Sequence, residues 1–421
     1  MQKIIENFIN ITKINRCSYK TQKMQAYIIN FAKNYGYEVK TDSAGNILVT
    51  KGNPKICLQA HYDMVCVGDA PNIEVEIKDG IIKAKNSSLG ADNGMAIAMM
   101  LELIKEGIEA EFLFTNDEEV GLIGAKNLEL TLQSKYLLNL DSEDEGAIFI
   151  GCAGGIDLKI TKNLNKINAN AKVYQVSVGN LPGGHSGIDI DKNIDNAILM
   201  LNFFLNKNNI LAVGKYKGGE KINSIPANAT AIVLANNLEF SEFVNVKELN
   251  NVNLDFFDNC YIKDVLDFPN GVLEYNSQFS VVESSSNLAL INQEKSNLSI
   301  EVSMRSLDNN KLEQISLNAK KYWQNKGYNV EINDKYPGWK PQINEFTKIV
   351  QNSMQKIFNQ SQNIVIHAGL ECGILKQKYP NILFASIGPN IKYPHSTNEQ
   401  CEIESVFKTY EAVLDIIKSV G

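Results

Sequence analysis

The chain has 421 residues, 44% of them hydrophobic and 21% charged, with a formal net charge of −7. That length favours two domains with sizeable cores, and the mild acidity excludes the basic stripe of a nucleic-acid binder. No run of roughly eighteen apolar residues is present, so no membrane-spanning helix is expected.

Residues 1–16 mix Lys, Glu and Asn with spaced apolar positions. They read as an amphipathic helix and lack the continuous apolar core of a signal peptide. Residues 55–60 (KICLQA) form an apolar run ending at His61. Residues 94–106 are apolar nearly all round and predict a buried helix. Residues 111–115 (EFLFT) run into Asn116-Asp117-Glu118-Glu119, and residues 136–140 (YLLNL) into Asp141. Near the other end, residues 381–387 (NILFASI) lead through a Gly-Pro loop to His395. Each candidate ligand thus follows a strand's carboxyl end, where open α/β sheets place their sites.

The middle of the chain reads as α+β. Residues 172–178 (KVYQVSV) alternate with period two, and strand-like runs follow at 230–234, 278–283, 298–305 and 328–332. Helical patterns cover 193–206 and 312–326. Residues 171–335 are therefore expected to form an inserted domain, with a return linker at 336–341 (YPGWKP). The catalytic domain is discontinuous, 1–170 and 336–421. The Asn-rich stretch at 245–260 is expected to be an exposed elaboration of the insert. The seven cysteines are odd in number and scattered without Cys-x-x-Cys, which predicts reduced thiols in a cytoplasmic protein.

Scarce residue types carry the chemistry. Of only four histidines, His61 and His395 sit in the segments just described. His185 lies in Gly183-Gly184-His185-Ser186-Gly187, and His367 reads as a packed histidine or as a support for a ligand, and not as a ligand itself. His61 and Asp63 point the same way on an extended segment, so Asp63 can hold the second ring nitrogen of a metal-bound His61. Asp92, in Gly90-Ala91-Asp92-Asn93-Gly94, either bridges two ions or caps the following helix. Glu118 and Glu119 repel each other unless cations or solvent intervene, so they form either a metal ligand beside a general base or a solvated acidic loop. Asp141, directly after an apolar strand, points into the crevice, whereas Glu143, Asp144 and Glu145 read as a solvated turn. Two imidazoles with several carboxylates suit a pair of divalent metals. Arg16 and Arg305 are the two arginines among 41 basic residues, and only Arg presents a planar fork to a carboxylate.

The order His-x-Asp, Gly-Ala-Asp-Asn-Gly, Glu-Glu, Asp, His resembles the co-catalytic di-zinc exopeptidases of the aminoacylase and carboxypeptidase G type. The segments around His185, His367-Ala368-Gly369-Leu370-Glu371-Cys372-Gly373 and Pro394-His395-Ser396 are similar to those of the bacterial aminoacyl-histidine (Xaa-His) dipeptidases. The resemblance runs from near residue 20 to the C-terminus and is loosest in the insert. It implies a mixed α/β sheet flanked by helices with an inserted α+β lid. It implies two Zn²⁺ per chain, with Mn²⁺ or Co²⁺ as substitutes. His61 and Asp141 would hold one metal, Glu119 and His395 the other, and Asp92 both. Asp63 would orient His61, Glu118 would act as general base, and His185 would steady the oxyanion. Asn223 and Arg305 would hold a substrate carboxylate and Glu371 its amino terminus. A cis peptide bond between Asp92 and Asn93 is implied as well, as is a homodimer through the lid.

The expected function is metal-dependent hydrolysis of small dipeptides of Xaa-His type by a water shared between the metals. A broad dipeptidase and an N-acyl amino acid deacylase use the same chemistry. A catalytically silent metal-binding scaffold is the alternative of another class.

Overall fold

The computed structural model describes residues 2–239 and 241–421. The chain forms two compact units. One comprises Met1–Gly151, Pro341–Val365 and Leu370–Gly421; the other comprises Cys152–Lys340 and Ile366–Gly369. The second unit begins before residue 171 because the strand Gly154–Asn163 pairs antiparallel with both Asn297–Ser306 and Asn329–Tyr336.

The first unit is built on an eight-stranded mixed sheet. At its centre Glu111–Thr115, Ile56–His61, Tyr136–Asn139 and Leu383–Ser386 run parallel. Glu38–Thr41 and Ile47–Thr50 extend it antiparallel on one side. Every residue of Ile56–His61, Glu111–Thr115 and Tyr136–Asn139 is buried, as expected of parallel strands covered on both faces. The helix Ala91–Lys105 is buried on nearly all sides. The first helix, Gln2–Thr12, packs beside it. Ile4, Phe8 and Ile11 of that helix are fully buried, at about 1.5–3 kcal/mol each. It stops four residues short of the expected end, and the chain then turns so that Arg16 lies inside, 1% exposed.

The second unit is an antiparallel sheet of nine strands. The helices Ala197–Lys207, Cys260–Asp267 and Asn309–Asn325 contribute Leu201, Val265 and Trp323 to its core, against Val176, Val233 and Ile300 of the strands. The Asn-rich stretch is largely exposed, as expected, but part of it is paired and two of its aromatics are buried. Asn245–Leu249 is an edge strand on Lys172–Val178, and Phe256 and Phe257 are buried. None of the five residues of Asn245–Leu249 is buried, so no buried-face pattern announces the pairing. The strand expected at 278–283 instead runs Val281–Glu294.

The expectation of reduced thiols is overturned at one pair: Cys17 and Cys66 form a disulfide, with Cα atoms 5.5 Å apart. Cys17 forms a β-bridge with Met64, and the Ser18 N–H donates to the Met64 carbonyl at 3.3 Å. Tertiary pairing of two segments 49 residues apart thus creates a proximity that cysteine spacing does not announce. Cys57, Cys260 and Cys401 remain thiols. No helix among the described residues is long and apolar enough to cross a membrane.

Candidate metal centre

The four central parallel strands of the first unit deliver the site. His61 is the last residue of Ile56–His61, residues 116–119 leave Glu111–Thr115, and Asp141 lies two residues beyond Tyr136–Asn139. His395 follows Leu383–Ser386 on a loop and takes a left-handed φ of 57°. Asp92 opens the helix Ala91–Lys105 with non-helical backbone, and the Asp92–Asn93 bond is cis.

These side chains converge. Asp92 Oδ1 lies 3.0 Å from His61 Nε2, and Asp92 Oδ2 lies 3.1 Å from His395 Nε2. His61 Nε2 also faces Asp141 Oδ1 at 3.3 Å, and His395 Nε2 faces Glu119 Oε1 at 2.9 Å. The groups His61–Asp92–Asp141 and Asp92–Glu119–His395 each place their ligand atoms within 4.8 Å of one another. They share Asp92, one oxygen to each side.

The donor set fits two cations. Each Nε2 sits between two carboxylate oxygens, yet an imidazole nitrogen carries one proton and can serve one of them. A divalent ion in either place would accept all the lone pairs at once, and imidazole with carboxylate suits zinc, manganese or cobalt.

Asp63 is fully buried, and its Oδ1 lies 3.4 Å from His61 Nδ1. It also accepts the Glu118 N–H at 2.9 Å, the Glu119 N–H at 3.3 Å and the Ser18 hydroxyl at 2.8 Å. One carboxylate therefore holds the acidic loop and also faces the imidazole, a wider task than its spacing from His61 suggests. Asp117 turns the other way. Its Oδ1 accepts the Tyr19 N–H at 2.6 Å, which makes it an anchor of that loop.

Burial pushes the Glu118 carboxyl well above its usual range. His61 opposes this; Asp141, Glu119 and Glu371 add to it. Glu371, 1% exposed, begins the helix Glu371–Lys378. Its Oε2 accepts from Gln59 Nε2 at 2.6 Å and Thr115 Oγ1 at 2.8 Å, while Oε1 is buried without a partner. Burial raises this carboxyl to about 7, against the pull of His61, Thr115 and Gln59. Gln59 and Thr115 were not singled out in the sequence, because a buried polar residue inside an apolar run signals only that it needs a partner. Glu143 also differs from its reading as part of a solvated turn. It is half-buried, and burial, then Asp92 and Asp141, push its carboxyl up to about 8.

His185, Asn223 and Arg305 belong to the second unit. His185 lies on the short strand Gly184–His185, paired with Ser224–Ile225. Its Nδ1 accepts the N–H groups of Gly187 and Ile188, both at 3.1 Å. The proton of the neutral ring is therefore on Nε2. Burial, then Arg305, push this imidazole down to about 4, so it is neutral at physiological pH. Asn223 is exposed, and its carbonyl accepts the Ser186 N–H at 2.9 Å. Arg305 is 5% exposed. Its Nη1 donates to the Tyr336 hydroxyl at 2.7 Å and its Nη2 faces Ser186 Oγ at 3.5 Å, while Nε has no partner. His367 packs in the same unit with Nε2 2.8 Å from Ser285 Oγ.

Residues 57–419 match the family described as Peptidase family M20/M25/M40. The cytosol non-specific dipeptidase of Escherichia coli (strain K12) is 32% identical over 474 residues, spanning 100% of this chain and 98% of that protein. The crystal structure of aminoacylhistidine dipeptidase from Vibrio alginolyticus superposes with a TM-score of 0.85 at 29% identity, covering 100% of this chain and 96% of that one. Aminopeptidase PepT from Bacillus cereus ATCC 10987 shares the fold, with a TM-score of 0.61, 20% identity and coverage of 100% and 98%.

Proposed function

The chain belongs to peptidase family M20/M25/M40, and on that premise we propose that it hydrolyses dipeptides at a two-metal centre on its first unit. The observation that carries this reading is Asp92, whose two oxygens each face a different imidazole, with a further carboxylate on either side.

His61, Asp141 and Asp92 would hold one metal, and Asp92, Glu119 and His395 the other, with zinc suited to these donors. Bound divalent ions supply acidified water and polarise a scissile carbonyl. Glu118 takes the proton of the attacking water and returns it to the leaving amine. The Asp63 contacts to the Glu118 and Glu119 N–H groups hold that base still while the proton moves. The neutral His185 ring, with its proton on Nε2, has the right form to donate to a developing oxyanion.

Arg305 and Asn223 are assigned to the substrate's terminal carboxylate, and the partnerless Nε of Arg305 supports this for the former. Glu371 is assigned to the substrate's amino terminus, supported by its unpartnered buried Oε1. A recognised free amine favours peptides over N-acyl amino acids. The Vibrio structure supports a preference for Xaa-His substrates, and the Escherichia coli relative supports a broader one. The latter's name also supports a cytosolic location. Self-association through the second unit is supported by its exposed Phe203 and Phe243, 65% and 69% exposed.

The test is hydrolysis of Ala-His, β-Ala-His, Gly-Leu and Leu-Leu beside N-acetyl amino acids, by chelated protein with and without Zn²⁺ or Mn²⁺. Metal-dependent cleavage of dipeptides is expected. Cleavage of N-acetyl substrates alone would replace the dipeptidase reading with a deacylase. No cleavage of any substrate would leave a metal-binding scaffold.

Arg305→Lys should lower kcat/KM for free-carboxylate dipeptides by at least about tenfold, since charge-assisted hydrogen bonds contribute roughly 1.5–3 kcal/mol and Lys has no planar fork. The same dipeptides with a C-terminal amide should be affected far less. An equal loss on both would remove Arg305 from carboxylate recognition.

A further inference from the structure

We propose that Arg16 and Glu399 are positioning residues that together clamp the turn at residues 89–92 and so fix the placement of Asp92; this rests on the two-metal reading of the site. Neither residue is a ligand, and neither touches the groups assigned to substrate.

Glu399 is 2% exposed. Its Oε2 accepts the N–H groups of Leu89 and Gly90 at 2.8 and 2.9 Å, and its Oε1 those of Ala91 and Asp92 at 2.7 and 3.3 Å. One carboxylate thus takes four consecutive amides ending at Asp92 itself. Charge-assisted bonds of this kind are roughly twice as strong as neutral ones. The groups at the opening turn of a helix also have no intrahelical partner to compete.

Arg16 holds the same turn by a carbonyl. Its Nη2 donates to Gly90 O, and its Nη1 to Asp63 O at 2.9 Å. One planar fork therefore links the turn before Asp92 to the segment that carries His61 and Asp63. A buried guanidinium is costly without compensating charge. Here burial weakens the cation's hold on its proton, while Glu399, Asp63, Asp92 and Glu119 strengthen it.

The glycines of Gly90-Ala91-Asp92-Asn93-Gly94 follow from this arrangement. A Cβ on either Gly90 or Gly94 would lie 2.5 Å from Arg16 Nη2. Gly90 also has φ 69°, which favours glycine. The motif is shaped as much by the arginine beneath it as by the ligand within it.

The experiment compares wild type with Glu399→Gln, Arg16→Lys and Gly94→Ala. It measures Mn²⁺ affinity and stoichiometry by equilibrium dialysis, far-UV circular dichroism, and kcat and KM for a dipeptide at rising Mn²⁺. Gln keeps the shape of Glu399 but turns donors toward amides that need an acceptor. Lys reaches one carbonyl and not both. Gly94→Ala pushes on Arg16, and less closely on the Phe8 ring at 2.9 Å, without altering a ligand or Glu399, and serves if either other variant fails to fold. Each is expected to weaken Mn²⁺ binding by about 10–100-fold, the range for groups that support ligands. Excess Mn²⁺ should restore kcat while KM stays within about twofold of wild type, a recovery that a merely structural defect would not give. Folded variants that bind Mn²⁺ as tightly as wild type would overturn the clamp. Wild-type protein that binds fewer than two Mn²⁺ per chain would overturn the two-metal reading itself, and the clamp with it.

Discussion

Glu118→Gln should lower kcat by about two to four orders of magnitude, the usual contribution of a positioned acid–base group, with two metals per chain retained. The substitution keeps the side chain's volume and removes only its capacity to take a proton. The loop should stay in place, because it is held through the backbone: the Glu118 N–H donates to Asp63 Oδ1 at 2.9 Å. Metal content measured by mass spectrometry beside steady-state kinetics checks this. The competing geometry is specific, since His61, Glu118 and Glu119 also place ligand atoms within 4.8 Å of one another. Loss of metal from the variant would move Glu118 into the ligand set and leave the base unassigned.

Asp92→Asn should have the largest effect on metal content, reducing it from two ions to at most one. A carboxylate offers an equivalent charged oxygen to each side, whereas an amide offers one neutral oxygen and one N–H donor. At Asp92 that donor would point at either His61 or His395, each about 3 Å away. The loss in affinity should exceed the roughly hundredfold upper range for supporting groups, and activity should fall with it. Titration of chelated protein with Zn²⁺ or Mn²⁺ reads both quantities. Two ions bound with wild-type affinity would mean that the centres do not share this residue.

The two variants separate chemistry from assembly. If Glu118→Gln is inert but loaded and Asp92→Asn is inert because it is unloaded, the division between base and shared ligand stands. The Arg16 and Glu399 variants fall between them, weakly loaded but active once metal is abundant.

The candidate site residues were legible in the sequence because of where buried parallel strands end. Such strands read as short apolar runs, KICLQA, EFLFT and YLLNL, and His61, Glu118, Glu119 and Asp141 stand at or just beyond their carboxyl ends. His395 was legible through rarity, as one of four histidines, set after a strand and a Gly-Pro loop. The alternation of KVYQVSV likewise marked a strand with one buried face, and Lys172–Val178 forms over those residues.

The supports were not legible, because the role of each arises from a distant contact that residue type and spacing do not announce. Arg16 meets Gly90 across 74 positions, Glu399 meets it across 309, and Gln59 meets Glu371 across 312. The Cys17–Cys66 pair, the pairing of Asn245–Leu249 at a sheet edge and the partial burial of Glu143 belong to the same class. By itself the sequence determined which side chains could carry the chemistry, since residue type sets donor chemistry and local periodicity sets where strands end. Only the tertiary structure decided which oxygen faces which imidazole and which buried charge holds the turn beneath Asp92, since hydrogen bonds act over about 3 Å and the chain brings such partners together only by folding.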